Sequence, residues 1–220
     1  YESLNQIGYT YVVLRDSTWH GSSTGGVGSG RDGGQDRARA LDSGGTVCLT
    51  PGNYALQEPV FLRTDTHWTP AGARCTARAL VDEAGSVVTG TQSFVTEIAA
   101  PQPHQGDLMQ FLPLAPYFSL LMPQPDLLAV ATTQLRSTDL LGDAPVPAVV
   151  LVGTSYSADQ RWNFDGALRE MLAEDVLNMA DKGRGPFEPM LAYLGQAPQD
   201  GDAPRRLIWE IPERYMPTGQ

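Results

Sequence analysis

Three residues of this sequence have the types and the spacing that nucleophilic catalysis needs. Ser155 closes a Gly-Thr-Ser turn, and His67 stands two residues after Asp65. A serine hydroxyl becomes a useful nucleophile when a base takes its proton, and the base works best when a carboxylate orients it. In an extended segment residues i and i+2 point the same way, so the Asp65 carboxylate can reach Nδ1 of His67 and leave Nε2 free. The pattern predicts a catalytic triad of Ser155, His67 and Asp65.

A non-catalytic interpretation of these residues stays open at this level. A Gly-x-Ser after a strand is also an ordinary turn with a helix cap, and Asp65 and His67 also suit a turn residue and a packed ring. Of the three histidines, His20 lies in a Gly/Ser-rich stretch and His104 follows a proline in a predicted loop. His67 is followed by a tryptophan that can orient its ring, so it remains the candidate base.

The elements predicted around these residues indicate an α/β fold. The run 148–152 is too short for a helix and rich in β-branched residues, which is typical of a strand buried on both faces of a parallel sheet. Open α/β sheets carry their nucleophiles at the carboxyl ends of such strands, where Ser155 lies. A Thr-Pro pair before 71–80 predicts a helix there. Extended segments are predicted at Tyr9–Leu14, 46–49, 60–63, Phe94–Ile98, 176–179 and 206–211, and helices over Phe164–Leu172 and 187–194. The β-α-β-α-β order of the second half predicts a doubly wound, mostly parallel sheet with helices on both faces.

Three stretches lack this regularity. Residues 15–45 are dominated by Gly, Ser, Asp and Arg without a helical or strand period, which predicts a loop or a disordered segment. Residues 107–121 are apolar and interrupted by prolines, so we expect a meandering loop packed on the core. For 129–143 strand and loop remain equal alternatives.

The composition describes an acidic chain able to bury a sizeable core. It has 220 residues, of which 41% are hydrophobic, and we interpret residues 1–220 as one domain. A net charge of -10 disfavours nucleic acid as a partner. Because the sequence has no run of about 18 apolar residues, we expect that the chain is not an integral membrane protein. The first residues resemble the end of a helix running into a strand, so we expect the true N-terminus to be missing.

The two cysteines do not indicate a metal site. Cys48 and Cys75 are too far apart for a C-x-x-C motif and lack neighbouring ligands, so we expect neither a metal ion nor another cofactor. A disulfide between them and two buried thiols remain equal alternatives.

Several motifs, taken in order, resemble one known family. They are T-D-T-H-W-T-P-A-G-A, G-T-S-Y-S-A, W-N-F-x-G-A-L, D-V-L-N-M-A-x-x-G-x-G-P and W-E-I-P-E-R-Y. Together they resemble the AlgX/AlgJ family of polysaccharide O-acetyltransferases, which are SGNH-hydrolase-like proteins, from about residue 60 to residue 216. An ordered set of motifs is far more specific than any one of them.

The resemblance implies a fold, a reaction and a location. It implies an SGNH-type α/β fold in which Ser155 is the nucleophile, His67 the base and Asp65 its orienting acid, with the motifs permuted relative to ordinary SGNH esterases. It implies acetylation of an exported polysaccharide such as alginate, with an acetyl donor or a membrane acetyl-delivery protein as partner. The implied location is the periplasm, with inner-membrane association through a missing N-terminal segment as an alternative.

Donors for an oxyanion hole can be named from the needs of the reaction and from the resemblance. A tetrahedral oxyanion needs pre-oriented N–H groups, and the Ser155 backbone N–H at a helix start is one. The glycine loop 183–185 resembles the glycine block that gives SGNH enzymes a second donor, which makes Gly183 a candidate, and Asn178 is a third. The alternatives are a simple turn for Gly183 and a core polar residue for Asn178.

Candidates for binding the sugar lie in or beside the motifs. They are Trp209, Arg214, Tyr156 and Arg161. Trp209 equally suits the core, and Arg214 equally suits a plain surface charge. The acidic balance fits poorly with an acidic acceptor, although some arginines near the motifs would form a local positive patch: Arg63, Arg161, Arg184 and Arg214.

Two departures from the family pattern bear on this interpretation. Residues 15–45 lack the ordered, proline-containing stretch that members usually carry after the first strand, which leaves the substrate-side wall of the pocket unassigned. No appended carbohydrate-binding module is seen, which favours the AlgJ type. The predicted activity is O-acetyl transfer. The alternatives are an esterase with the same triad and a non-catalytic polysaccharide-binding component of an export complex.

Overall fold

A computed structural model describes residues 9–14, 46–48, 59–84, 90–112, 114, 117–136, 147–196, 204 and 206–215. The strands are β1 (Tyr9–Leu14), β2 (Thr46–Cys48), β3 (Phe94–Ile98), β4 (Gln102–His104), β5 (Asp126–Leu128), β6 (Ala131–Leu135), β7 (Val149–Val152), β8 (Val176–Asn178) and β9 (Arg206–Pro212). The α-helices are α1 (Pro70–Ala84), α2 (Ser155–Ala158), α3 (Phe164–Leu172) and α4 (Phe187–Gln196). The predicted loop 15–45 and the stretch 137–143 lie outside the described residues.

The main sheet has five strands in the order β2-β1-β9-β7-β8. Every neighbouring pair in it is parallel. The predicted α/β class with a parallel sheet is therefore confirmed. The predicted strands that form in this sheet differ from the predictions by about one residue at their ends. The predicted extended segment 60–63 is not part of a strand, and within it Phe61 forms an isolated bridge with Trp68.

The two faces of the sheet are covered by different helices. Val149 and Leu151 of β7 belong to a buried cluster that also contains apolar residues of α1 and α3. Val150 and Val152 point the other way and pack with residues of α4. All four residues of β7 are buried, as expected for a strand covered on both faces.

Helix α1 begins as its sequence predicts. Thr69 accepts a hydrogen bond from the Gly72 N–H at 3.0 Å through its side chain, and Pro70 occupies the first helical position. The helix packs against α3, where Arg74 makes a two-pronged ion pair with Glu170 at 2.6 and 2.8 Å. Cys75 in α1 is a free, half-buried thiol.

Two antiparallel strand pairs lie outside the main sheet. β3 pairs with β6, and β4 pairs with β5. In the described part of residues 129–143 the chain forms strand β6, so the strand alternative is correct there. Between β4 and β5 the chain forms two short 3-10 turns, Asp107–Phe111 and Ser119–Leu121, so the described part of the predicted meandering segment contains no long helix. Among the described residues no helix combines the length and apolar character that crossing a membrane requires.

Candidate active site

The side chains of Asp65, His67 and Ser155 form one hydrogen-bonded line. His67 Nδ1 lies 2.5 Å from Asp65 Oδ1, and His67 Nε2 lies 2.7 Å from Ser155 Oγ. Because Nδ1 donates to a carboxylate, the ring is held in the tautomer that leaves a lone pair on Nε2. This is the arrangement in which an imidazole can take a proton from a serine hydroxyl.

Asp65 is buried at the centre of a set of donors. Besides Nδ1 of His67, its carboxylate accepts from the His67 backbone N–H at 3.1 Å, from His104 Nε2 at 2.9 Å and from the Asp107 N–H at 3.3 Å. Burial alone would raise the pKa of Asp65, but the hydrogen bonds from His67 and His104 outweigh it and hold the pKa well below its usual range. The carboxylate therefore stays ionised beside His67.

Aromatic rings surround the imidazole of His67. The ring stacks on Trp162 with centroids 5.3 Å apart, and Tyr156 lies at 4.8 Å. Trp162 is fully buried. The Tyr156 hydroxyl donates a hydrogen bond to the Thr66 carbonyl, so the residue after the nucleophile is tied to the residue before the base. These contacts limit the rotation of the imidazole.

Asp107 supports the same loop from the other side. It accepts from the Thr66 N–H at 2.8 Å and from the Thr66 hydroxyl at 2.6 Å. Asp65, His67 and Asp107 also offer ligand atoms within 4.8 Å of one another, which makes them a possible metal-ligand set among the described residues. His67 Nδ1 already donates to Asp65, so a metal ion there would have to replace that hydrogen bond.

The serine follows the carboxyl end of strand β7, which lies between β9 and β8 in the sheet, as the fold class requires. Thr154 caps α2, and beneath this turn the fully buried Glu210 accepts from the Thr154 N–H at 2.7 Å. It also accepts from the hydroxyls of Thr154 and Ser157, at 2.9 and 3.1 Å. Burial raises the pKa of the Glu210 carboxyl, and the hydrogen bonds from Thr154 and Ser157 offset only part of that rise.

The oxyanion candidates have different surroundings. Ser155 is the first residue of α2, where a backbone N–H has no acceptor within the helix. Asn178 donates from its amide to the Ser157 carbonyl at 2.8 Å and accepts from the Ala180 N–H at 3.0 Å, which ties β8 to the nucleophile turn. Gly183 lies in an exposed loop with φ 78°, a conformation that favours glycine. Their role in an oxyanion hole stays a prediction.

Two of the sugar-binding candidates flank the triad. The Arg214 guanidinium lies 5.4 Å from the Tyr156 ring centroid, and its Nη1 is 3.4 Å from the Tyr156 hydroxyl. Arg161 lies 4.8 Å over the Trp162 ring. Both arginines therefore sit on aromatic rings that themselves contact His67. Their contact with a sugar stays a prediction.

Trp209 packs away from these rings. Its indole N–H donates to the Pro186 carbonyl at 2.9 Å, and its ring meets Phe187 edge-on at 5.8 Å. It belongs to the cluster on the α4 face of the sheet. These contacts fit the alternative of a core tryptophan.

Most arginines of the expected positive patch pair with acids. Arg63 binds Asp126 at 3.1 Å, and Arg184 binds Glu188 at 2.9 Å. Arg161 shares Asp159 with Lys182, at 2.6 and 2.9 Å. These two cations and one carboxylate together carry one excess positive charge, and Asp65 and Asp107 also act electrostatically on Arg161.

Sequence reasoning missed three acids and a histidine that hold the site together. They are Asp107, Asp126, Glu210 and His104. A signal existed for Glu210, because an isolated glutamate inside the otherwise apolar strand R-L-I-W-E-I has to be paired when that strand is buried. For the others no local signal existed, since their partners lie far away in the sequence.

Comparison with known proteins identifies the family. Residues 47–213 match the model of the SGNH hydrolase-like domain, acetyltransferase AlgX. The chain is 45% identical to the probable alginate O-acetylase AlgJ of Pseudomonas aeruginosa over 172 residues, which cover 72% of this chain and 44% of that protein. For AlgJ of Azotobacter vinelandii the identity is 48% over 167 residues, covering 72% and 43%.

Solved structures agree with this match. The O-acetyltransferase domain of Pseudomonas putida AlgJ aligns with a TM-score of 0.72 at 36% identity, covering 100% of this chain and 80% of that chain. AlgX of Pseudomonas aeruginosa aligns with a TM-score of 0.69 at 24% identity, covering 97% of this chain and 55% of that chain, which shows a shared fold. The chain spans less than half the length of the curated AlgJ proteins named above. The resemblance seen in the motifs is confirmed, and the chain belongs to the family of SGNH hydrolase-like domains described as acetyltransferase AlgX.

Proposed function

We propose that this chain is the catalytic domain of a polysaccharide O-acetyltransferase in which Ser155 carries the acetyl group. The observation that carries the proposal is the line from Asp65 through His67 to Ser155, with separations of 2.5 and 2.7 Å. Membership of the AlgX family and the likeness to proteins named alginate O-acetylase support the choice of reaction.

The first half of the reaction charges the serine. Ser155 Oγ attacks the carbonyl carbon of an acetyl donor while His67 Nε2 takes its proton, and the Asp65 carboxylate stabilises the imidazolium. The tetrahedral intermediate collapses when the bond to the donor's leaving group breaks, and His67 returns the proton to that group. The product is an acetyl ester on Ser155.

The second half transfers the acetyl group to a sugar. A sugar hydroxyl attacks the ester carbonyl and gives its proton to His67, and the bond to Ser155 Oγ then breaks and the oxygen regains that proton. In both halves the developing oxyanion needs N–H donors. We assign the Ser155 backbone N–H as one donor. Asn178 and Gly183 are proposed as the others, and the Asn178 amide has a second N–H beyond the one given to Ser157.

An acidic polysaccharide such as alginate is the proposed acceptor. Arg161 and Lys182 share the single carboxylate of Asp159, and both side chains are about half exposed, at 47% and 56%. Burial raises the pKa of Asp159, but the bonds from Arg161 and Lys182 reverse this and leave its pKa lowered. The group keeps a net positive charge that attracts the carboxylates of a polyuronate.

The proposal also covers where the domain acts and how the acetyl group reaches it. An exported polysaccharide is modified outside the cytoplasm, so we assign this domain to the periplasm. The acetyl group then has to cross a membrane, which calls for a donor there or a membrane protein that delivers it. These assignments rest on the alginate names of the relatives.

The decisive experiment supplies an acetyl ester and oligomannuronate to the wild-type chain and to Ser155→Ala and His67→Ala. We expect acetylated sugar with the wild type, and a loss of about 10⁴-fold or more in each variant, as for other serine nucleophiles and their bases. Mass spectrometry of the sugar and of a Ser155 peptide is the readout. Free acetate without acetylated sugar would favour the esterase, and equal turnover by Ser155→Ala would refute both reactions.

A further inference from the structure

A buried carboxylate lies beneath the nucleophile turn and is not used in the reaction above. Glu210 is the fifth residue of β9 and is 0% exposed. Its neighbours in that strand, Ile208 and Ile211, are buried apolar side chains. A carboxylate in such surroundings is costly unless donors satisfy it. Its presence there therefore requires an explanation.

The donors that satisfy Glu210 come from the residues that flank the nucleophile. Oε2 accepts from the Thr154 N–H at 2.7 Å, from the Thr154 hydroxyl at 2.9 Å and from the Ser157 hydroxyl at 3.1 Å. Gly153 leaves room for the carboxylate, because a Cβ at that position would lie 2.5 Å from the same oxygen. Residues on both sides of Ser155 are thus fitted to one carboxylate.

We infer that Glu210 is a positioning residue that fixes the Gly153–Ser157 turn and thereby places Ser155 for acyl transfer. The inference rests on the proposed function, because it assumes that Ser155 is the nucleophile. The hydrogen bonds described for Glu210 go to Thr154 and Ser157, so it acts through the turn and not on the reacting atoms. Its strand β9 is the neighbour of β7 in the sheet, so the turn is fixed to the sheet that also carries Ser155.

The chemistry of the contacts explains why this residue is a glutamate. Three donors converge on it, and a carboxylate offers enough acceptor sites for all of them. A glutamine with its oxygen at the Oε2 position would turn an N–H toward the Thr154 hydroxyl, which in the wild type also donates to Oε1 at 3.1 Å. A leucine would leave the Thr154 N–H without any acceptor. The two substitutions should therefore impair the turn to different degrees.

The test compares Glu210→Gln and Glu210→Leu with Thr133→Val and Ser155→Ala. Thr133 is a matched control, because it is also buried and hydrogen-bonded, to Asn163 at 2.9 Å, yet belongs to β6. Two readouts are needed: kcat and KM for an acetyl ester, and the labelling of Ser155 by a serine-directed phosphonate. The end point of labelling counts competent sites, and its rate reports how well Ser155 is placed.

We expect a graded loss in kcat per labelled site. Glu210→Leu should lose about 100-fold, the effect of a displacement of about 1 Å at a reacting atom. Glu210→Gln should lose about tenfold, in keeping with the loss of one hydrogen bond. The phosphonate rate should fall in parallel while KM stays within about twofold of the wild type. Thr133→Val should lower the melting temperature without changing kcat per labelled site.

Several outcomes would overturn the inference. A merely structural role predicts fewer labelled sites with an unchanged kcat for each of them. If Glu210→Leu does not fold, Glu210→Gln and Ser157→Ala carry the test, and wild-type kcat and labelling rate in both would refute positioning. If Ser155→Ala keeps its activity, the proposed function itself has failed. If Ser155→Ala is inactive while the Glu210 variants match the wild type, only the present inference has failed.

Discussion

The nucleophile and its base are held by two differently built regions. The nucleophile turn, residues 153–157, follows strand β7 and is hydrogen-bonded to Glu210 of the adjacent, central strand β9. The base loop, residues 63–67, lies outside the main sheet, and the bridge between Phe61 and Trp68 closes it. Side chains from the β4–β5 region hold it in place. The nucleophile thus depends on the sheet, and the base on an added antiparallel pair.

Hydrogen bonds join the two regions directly. The Tyr156 hydroxyl donates to the Thr66 carbonyl, and the Trp68 indole N–H donates to the Tyr156 carbonyl at 3.1 Å. The separation of 2.7 Å between Ser155 and His67 therefore depends on both supports at once. The strand pair β4–β5, which is separate from the main sheet, is therefore part of the catalytic apparatus in the proposed function.

Breaking the support of the base loop should have the largest effect in this comparison. Asp126 of β5 is buried and accepts from the Thr64 N–H at 2.8 Å and from its hydroxyl at 2.6 Å. Asp126→Ala leaves these donors unsatisfied, so we expect a loss of about 2 kcal/mol in the free energy of unfolding. Because the loop then shifts His67 away from Ser155, kcat should fall about 100-fold. Urea unfolding and acetyl-ester kinetics measure the two effects.

A buried aspartate elsewhere is the control for Asp126. Asp165 in α3 pairs with Arg169 at 3.2 Å and does not belong to the base loop. Asp165→Ala should lower stability while leaving kcat of the folded protein within about twofold, since substitutions that do not reach the reacting groups act through stability. Equal losses of kcat in both variants would contradict a separate support for the base loop.

The difference between the two regions also explains how much the sequence could predict. Asp65 and His67 were found because a spacing of two residues keeps the two side chains close together. The structure forms the pair in a bend, where Asp65 also accepts from the His67 N–H, and not in the extended segment that the prediction assumed. Ser155 was found because an apolar strand followed by small residues is a local pattern. Both patterns concern neighbouring residues, and so do the cap of α1 and the helical period of α3.

The supports of the site could not be found in this way. Asp126 lies 62 residues from Thr64, and Glu210 lies 56 residues from Thr154. Such pairs are set by strand pairing and by the path of the chain, which no local period encodes. The strand pair β4–β5 also escaped prediction, because strands of only three residues, one of them containing a proline, give too short a pattern.

His104 of β4 offers a test of the base loop that leaves the nucleophile turn intact. Within the triad it contacts only the acid, Asp65. It donates to Asp65 Oδ2 at 2.9 Å. His104→Leu removes this donor, and we expect a loss of about tenfold in kcat/KM, the worth of one hydrogen bond to a charged group. His104→Gln keeps an N–H donor at a similar reach and should retain most of the activity.

The pH dependence of the free energy of unfolding distinguishes this role of His104 from simple packing. Burial raises the pKa of Asp65, and the hydrogen bonds from His67 and His104 lower it below the usual range. Loss of the His104 bond should raise that pKa again, so Asp65 becomes protonated at a higher pH than in the wild type. The stability lost in His104→Leu should therefore be full at neutral pH and shrink only at acid pH, where Asp65 becomes protonated in the folded variant and then in the folded wild type, whereas His104→Gln should follow the wild type. Urea unfolding with the same loss of stability at every pH would mean that His104 only fills space.

The smallest expected effect concerns the ion pair between helices α1 and α3. Arg74 belongs to α1, which follows the base loop, and Glu170 belongs to α3, which follows the nucleophile turn. Hydrogen bonds from Arg74, and then from Thr96, outweigh burial and lower the pKa of Glu170 from 4.5 to about 2. Since the folded pKa is depressed, the pair contributes stability above about pH 4.5 and loses it as the pH falls toward 2.

Glu170→Gln should therefore cost less than about 1 kcal/mol at neutral pH, because the pair is partly exposed. The difference from the wild type should shrink as the pH falls from about 5 to 2, since the wild type then loses the same interaction. Arg74→Gln, which removes the other partner, should reproduce this dependence. Acetyl-ester kinetics should stay unchanged in both, because neither residue touches the base loop or the turn. If the unfolding curves of wild type and Glu170→Gln kept a constant separation over this pH range, the pair would not be what joins α1 to α3. The packing of the two helices alone would then keep the two regions in register.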